Sequence, residues 1–303
     1  MASGLPLDVG MQEEMITNFN LLICRTFFNA GHWGATIFFL ITGYFIKSKN
    51  IRWHALMYIL IIVAFYYILF ICLGYLFPEI LTEPSSYDLK TVMSHGYWFI
   101  TAYVLMNLIF PKLLMVTSEN QLLIATAFLG IGLYIYYCTY EITELVYLVF
   151  APMYFMLLGH FLNNIKDLLT LPKIIIITIV AFIAILGINY VQFSEEASLY
   201  KTASIINPLN NLIAILFVLI FIKIPEFSSI VVDRVATLIL SIYLIHTNPY
   251  INLLIWQKLF TKPDMIPSPF LILCILLEVV TIFSICGLVE LLRKKLTKHF
   301  LSK

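Results

Sequence analysis

Two ionisable residues lie where an apolar sequence least tolerates them. His246 stands in SIYLIHTNPY, directly before Asn248-Pro249, and Glu278 stands in the middle of LILCILLEVVTIF. A neutral imidazole is the side chain best matched to proton transfer near neutral pH, and it needs a partner on its second nitrogen to fix the tautomer. A carboxylate at the centre of an apolar helix costs about 2.5–3.5 kcal/mol on insertion scales unless it is paired, protonated or facing a polar cavity. His246 as base with Glu278 as its orienting partner is therefore one reading. The other is structural, each group hydrogen-bonding separately within a helix bundle.

A third group is basic. Lys47, Lys49 and Arg52 fall within six residues, followed by Trp53 and His54. Such cations flank membrane helices in the ordinary way, and they also suit the oxygens of a phosphate-bearing ligand. Spacing does not choose between the two. The remaining histidines, His32, His54, His95, His160 and His299, fall near the ends of apolar runs. The five cysteines have no CxxC spacing, so neither a metal site nor a disulfide framework is expected. Asn207, Asn210 and Asn211 open an apolar run, either as a helix start or as the lining of a cavity for hydroxyl-rich ligands.

The elements that must position these groups are membrane helices. The chain is 61% hydrophobic and 12% charged, with a mean hydropathy of +0.96. Its apolar residues gather into stretches of the length an α-helix needs to cross about 30 Å of hydrocarbon. Nine crossings are expected, near 32–46, 53–77, 96–116, 121–139, 143–163, 172–193, 208–224, 233–258 and 266–290. The fold class is all-α, a polytopic transmembrane bundle. Continuous apolar runs lack the alternation of barrel strands. One membrane-embedded domain is expected over residues 1–303, with an extracytoplasmic loop at 1–31 and a basic cytoplasmic tail at 291–303.

Proline lacks a backbone donor and opposes the preceding turn, so Pro249 should break the eighth crossing. Taking the outer ends of the last two crossings near 258 and 268 puts both His246 and Glu278 about 15–18 Å deep, at 1.5 Å per residue. Helices joined by a short loop are neighbours, so a direct contact between the two is expected.

Lysine and arginine set the orientation. With the C-terminus inside, thirteen fall on the cytoplasmic side and five outside, which favours a cytoplasmic C-terminus. The net charge of +1 gives no support to a nucleic-acid partner. Nine crossings would then leave the N-terminus outside, although residues 1–18 carry no export signal. A further helix upstream of Met1 is the simplest expectation.

Four segments, taken together, resemble the integral-membrane acyltransferase family 3. HWGATIFFLITGYFI (32–46) resembles that family's "VxLFFxLSGYFI" helix, and YWFITAYVLMNLIFP (97–111) its "WFLxAYLxLYLLSP" helix. APMYFMLLGHF (151–161) resembles "YxxYFLLGYxL", and SIYLIHTNP (241–249) is similar to "GIYLIHxNP". Members acetylate sugars of cell-wall and capsular polymers. The resemblance implies a ten-helix bacterial cytoplasmic-membrane enzyme that takes acetyl-CoA from the cytoplasm and acylates a glycan hydroxyl. It also implies that Lys47, Lys49 and Arg52 meet the acyl-CoA. The family's first helix, bearing an arginine and a catalytic histidine, has no counterpart among these residues. Two other readings stand beside the enzyme: a flippase of lipid-linked oligosaccharides, and an inactive truncated acyltransferase.

Overall fold

The computed structural model describes residues 19–46, 50–81, 89–139, 145–195, 199–226, 228–255 and 270–301. Among them there are helices and no strands. In chain order they are α1 (Phe19–Phe45), α2 (Trp53–Leu76), α3 (Leu89–Thr91, continuing into a π-helical turn at Val92–Gly96), α4 (Trp98–Val116) and α5 (Glu119–Thr139). A second π-helical turn, Val146–Phe150, leads into α6 (Ala151–Ile165). Next come α7 (Leu171–Glu195), α8 (Leu199–Lys223), α9 (Ile230–Ala236), α10 (Ile239–His246), α11 (Pro249–Leu253) and α12 (Leu271–Leu301).

Seven stretches among the described residues are long and apolar enough to cross a membrane. They are Trp53–Leu76, Trp98–Val116, Glu119–Thr139, Leu148–Ile165, Leu171–Val191, Ile206–Lys223 and Leu271–Leu296. Large apolar side chains such as Phe128, Ile183 and Val280 stay exposed on these helices, as lipid-facing surfaces require and soluble folds avoid.

The other two expected crossings differ from their outlines. The first forms a longer helix: α1 is already helical at Phe19, so residues 19–31, expected as loop, belong to it. Its purely apolar part is the short Trp33–Phe45. The crossing expected at 233–258 is broken twice, after Ala236 and after His246. The last helix runs through to Leu301, so the basic residues expected as a tail continue α12.

By compactness the described helices fall into two units. One unit comprises Trp53–Trp98 with Glu226–Lys303, the other Pro6–Arg52 with Phe99–Pro225. In the second, α1 lies against α6, and α8 packs on both α1 and α7. Glycine sets the α1–α6 approach. A Cβ on Gly43 would overlap the carbonyl oxygen of Met156, and one on Gly159 that of Leu40. The two backbones touch at both points, the close crossing that small residues permit inside membranes. Around it Phe39, Leu40, Met106, Phe110, Phe155, Met156 and Leu157 form a buried apolar core.

Side-chain amides cross-link the same unit. The indole Nε1 of Trp33 donates to Asn210 Oδ1 at 2.8 Å. Asn189 Nδ2 donates to Thr26 Oγ1 at 3.1 Å, and Asn211 Nδ2 to the Tyr137 hydroxyl at 3.2 Å. Asn210 and Asn211 thus bond to neighbouring helices from within α8, well past its first turn, so neither of them caps a helix start.

Candidate active site

The unit built from α2, α3 and α9–α12 holds His246. Local chemistry explains the breaks around it. Pro225 cannot prolong a helix. Ser229 then caps α9, its hydroxyl accepting from Val232 N. After Thr247, Asn248 takes an extended conformation and its side chain accepts from Tyr250 N at 3.2 Å, with Pro249 as the first residue of α11. Asparagine as N-cap followed by proline is a favoured way to start a helix. The break expected at Pro249 is therefore present, and it leaves His246 as the last residue of α10.

The imidazole is half-buried. Its Nδ1 lies 2.7 Å from the carbonyl oxygen of Ile242, one turn back, and its ring stands edge-on to Tyr243 at 6.0 Å. A carbonyl can only accept, so Nδ1 carries a proton, and in the neutral ring Nε2 then keeps its lone pair. The backbone thus performs the tautomer-fixing role expected of Glu278.

Neighbouring groups hold the break in place. Tyr243 donates its hydroxyl to Gly96 O at 3.2 Å. Fully buried Asn248 donates Nδ2 to the Tyr97 hydroxyl at 2.8 Å. A Cβ on Gly96 would stand 3.4 Å from the Pro249 ring and 3.6 Å from Thr247 O. On α11, the ring of Tyr250 lies over Gly74 of α2, where any side chain would collide with it.

Glu278 lies on the inward stripe of α12, in line with Leu271, Ile282, Cys286 and Glu290, while Leu277, Val279 and Val280 face outward. An acidic residue in lipid should occupy that face. Helices α10 and α12 are in contact, as expected of neighbours. The direct bond between His246 and Glu278 is not formed: the ring nitrogens of His246 make one hydrogen bond, to Ile242.

Of the basic group, Arg52 immediately precedes α2 and is exposed. Lys47 and Lys49 lie outside the described residues, as do the side chains of His32 and His95. No group of three or more potential metal ligands occurs among the described residues.

A second polar cluster was missed in the sequence. Glu290 of α12 is 1% exposed. It accepts from Arg293 Nε at 2.6 Å and Nη2 at 2.7 Å, and from the Tyr66 hydroxyl of α2 at 2.7 Å. Buried Ser241 of α10 lies against both Tyr66 and the carboxylate. The Arg293 guanidinium sits 5.6 Å from the centre of the Phe65 ring, and Lys294 Nζ donates to Thr237 O at 3.1 Å. The spacing Glu290, Arg293, Lys294 is that of facing residues on one helix and was readable. Tyr66, Ser241 and Thr237 were not.

The family acyltransferase 3, described as an acyltransferase domain, matches residues 7–289. That covers nearly all of the 303 residues, and the chain belongs to this family. It is a membrane acyltransferase. No curated protein and no solved structure matches it.

Proposed function

We propose that this protein transfers an acyl group, acetyl in the first instance, from acyl-CoA to a hydroxyl of a cell-envelope glycan. The observation that carries the reading is the placement of His246 at a helix break, with Nδ1 held by Ile242 O, which in a neutral ring leaves the Nε2 lone pair available. In the proposed step Nε2 accepts the hydroxyl proton as the oxygen attacks the thioester carbonyl. The C–S bond then breaks, and the departing CoA thiolate receives the proton from the imidazolium. Glu278, on the inward stripe of α12, is the acidic group proposed to assist His246 without bonding it directly. Lys47, Lys49 and Arg52 hold the CoA phosphates.

The distribution of basic residues supports a multi-pass protein of the cell membrane with a cytoplasmic C-terminus. The basic group at 47–52 then meets CoA from the cytoplasm.

Membranes containing the protein, supplied with acetyl-CoA labelled in its acetyl group, test the reading. Label should appear in glycan, and His246→Ala and Glu278→Gln should each reduce it. Glycan movement across the membrane without label transfer would instead identify a flippase. Full labelling in both variants would refute the assigned roles.

A further inference from the structure

Helix α10 spans only Ile239–His246 and is bounded by breaks on both sides. A helix of two turns flanked by turns has little stiffness of its own. Something outside it must fix its depth and rotation, and with them the direction of Nε2.

The Glu290 cluster is placed to do this. It lies on α12, at the point where α12 meets α10 and α2. Lys294 binds the carbonyl and, at 3.3 Å, the hydroxyl of Thr237, the residue that ends α9. The Glu290 carboxylate lies against Ser241, in the first turn of α10. The Tyr66 hydroxyl ties that same carboxylate to α2. Both sides of the Thr237–Leu238 break are thus fastened to one surface of α12. Ser241 stands five residues before His246, about 7.5 Å along the helix at 1.5 Å per residue.

Simple stabilisation is a poor explanation of the cluster. Burying a carboxylate and a guanidinium has a desolvation cost that a well-packed apolar pair of similar size avoids. What such a cluster supplies is directionality, since a forked arginine and a phenol can satisfy one carboxylate in few arrangements.

We propose that Glu290, with Tyr66 and Ser241, is a positioning element for His246: it fixes α10 against α12 so that Nε2 points to the reacting hydroxyl. This rests on the reading of His246 as base, and the test separates the two. Glu290 touches no substrate in this scheme and acts through α10.

The experiment uses the full chain in proteoliposomes, with Ser241→Ala and Tyr66→Phe, which keep the size of the side chain. Glu290→Gln is the stronger variant, and thermal denaturation monitors folding of all three. Carbethoxylation of His246 by diethylpyrocarbonate, followed by mass spectrometry, reads the imidazole with no need of a known acceptor. Labelled acetyl-CoA reads transfer. Displacing a reacting group by about 1 Å can cost 10²-fold. The carbethoxylation rate of His246 should therefore change several-fold in Ser241→Ala and Tyr66→Phe, and kcat should fall on the order of 10-fold or more at unchanged KM for acetyl-CoA. An unchanged His246 rate in all folded variants overturns the proposal. A changed His246 rate with unaltered transfer upholds the positioning and overturns the base assignment.

Discussion

The two compact units of this protein differ in the closest contacts between their own helices. In the unit containing α1 and α5–α8, helices meet backbone to backbone at Gly43 and Gly159 around a buried apolar core. In the unit containing α2 and α9–α12, the same tasks fall to hydrogen bonds and an ion pair: Glu290 with Arg293 and Tyr66, Asn248 with Tyr97, Tyr243 with Gly96. Contact between small residues gives a rigid crossing and leaves no group for chemistry. Polar fastening tolerates broken helices, and the breaks end at His246. Polar bonds between helices occur in both units, but the interrupted helices and the buried ion pair Glu290–Arg293 fall in the one holding the proposed base.

The sharpest break of this comparison is steric. Gly43→Leu or Gly159→Leu would drive a side chain into a backbone carbonyl, and each should abolish folded protein, read as loss of the monodisperse peak in detergent. A well-folded Gly159→Leu protein would show that the α1–α6 crossing is not close.

Next in size is the ion pair. Arg293→Met should destabilise by about 3–5 kcal/mol by leaving the Glu290 charge without its main partner. Glu290→Met with Arg293→Met should recover most of that, since no buried charge then remains. A double variant no more stable than the single would contradict the charge argument.

Asn248→Ala removes the N-cap of α11 and the bond to Tyr97. A loss of about 1–3 kcal/mol is expected in chemical or thermal denaturation. No change would mean that the break needs only Pro249.

The smallest effect belongs to the glycine-packed unit. His160 Nε2 lies 3.2 Å from Glu119 Oε1, and the carboxylate is 67% exposed. Such a pair contributes about 0–1 kcal/mol, so His160→Gln should leave both stability and label transfer near wild type. A large loss of transfer would move part of the chemistry into this unit.

Which of these features the sequence revealed depends on how local their causes are. Most crossings were legible because about 20 consecutive apolar residues have few other fates. The break at His246 was legible because Asn248-Pro249 carries both a capping side chain and the proline that starts the next helix. The break after Ala236 was not. It is held through Thr237 by Lys294, far along the chain. Gly43 and Gly159 were visible only as letters within family-like segments. That their backbones touch is a property of two helices together. Tyr66 and Glu290 are 224 residues apart, and no periodicity in either segment points to the other. Conversely, the expected contact between His246 and Glu278 followed from depth and chain adjacency. Neither fixes a side-chain rotamer, and Nδ1 bonds the Ile242 carbonyl of its own helix.

Solid-state NMR of the protein with 15N-labelled histidine in bilayers, with His246 assigned by its loss in His246→Gln, tests the central claim most directly. The expected spectrum is that of a neutral ring protonated at Nδ1 with an unprotonated Nε2. A ring protonated at Nε2 alone, or a permanent imidazolium bonded to a carboxylate, would contradict it.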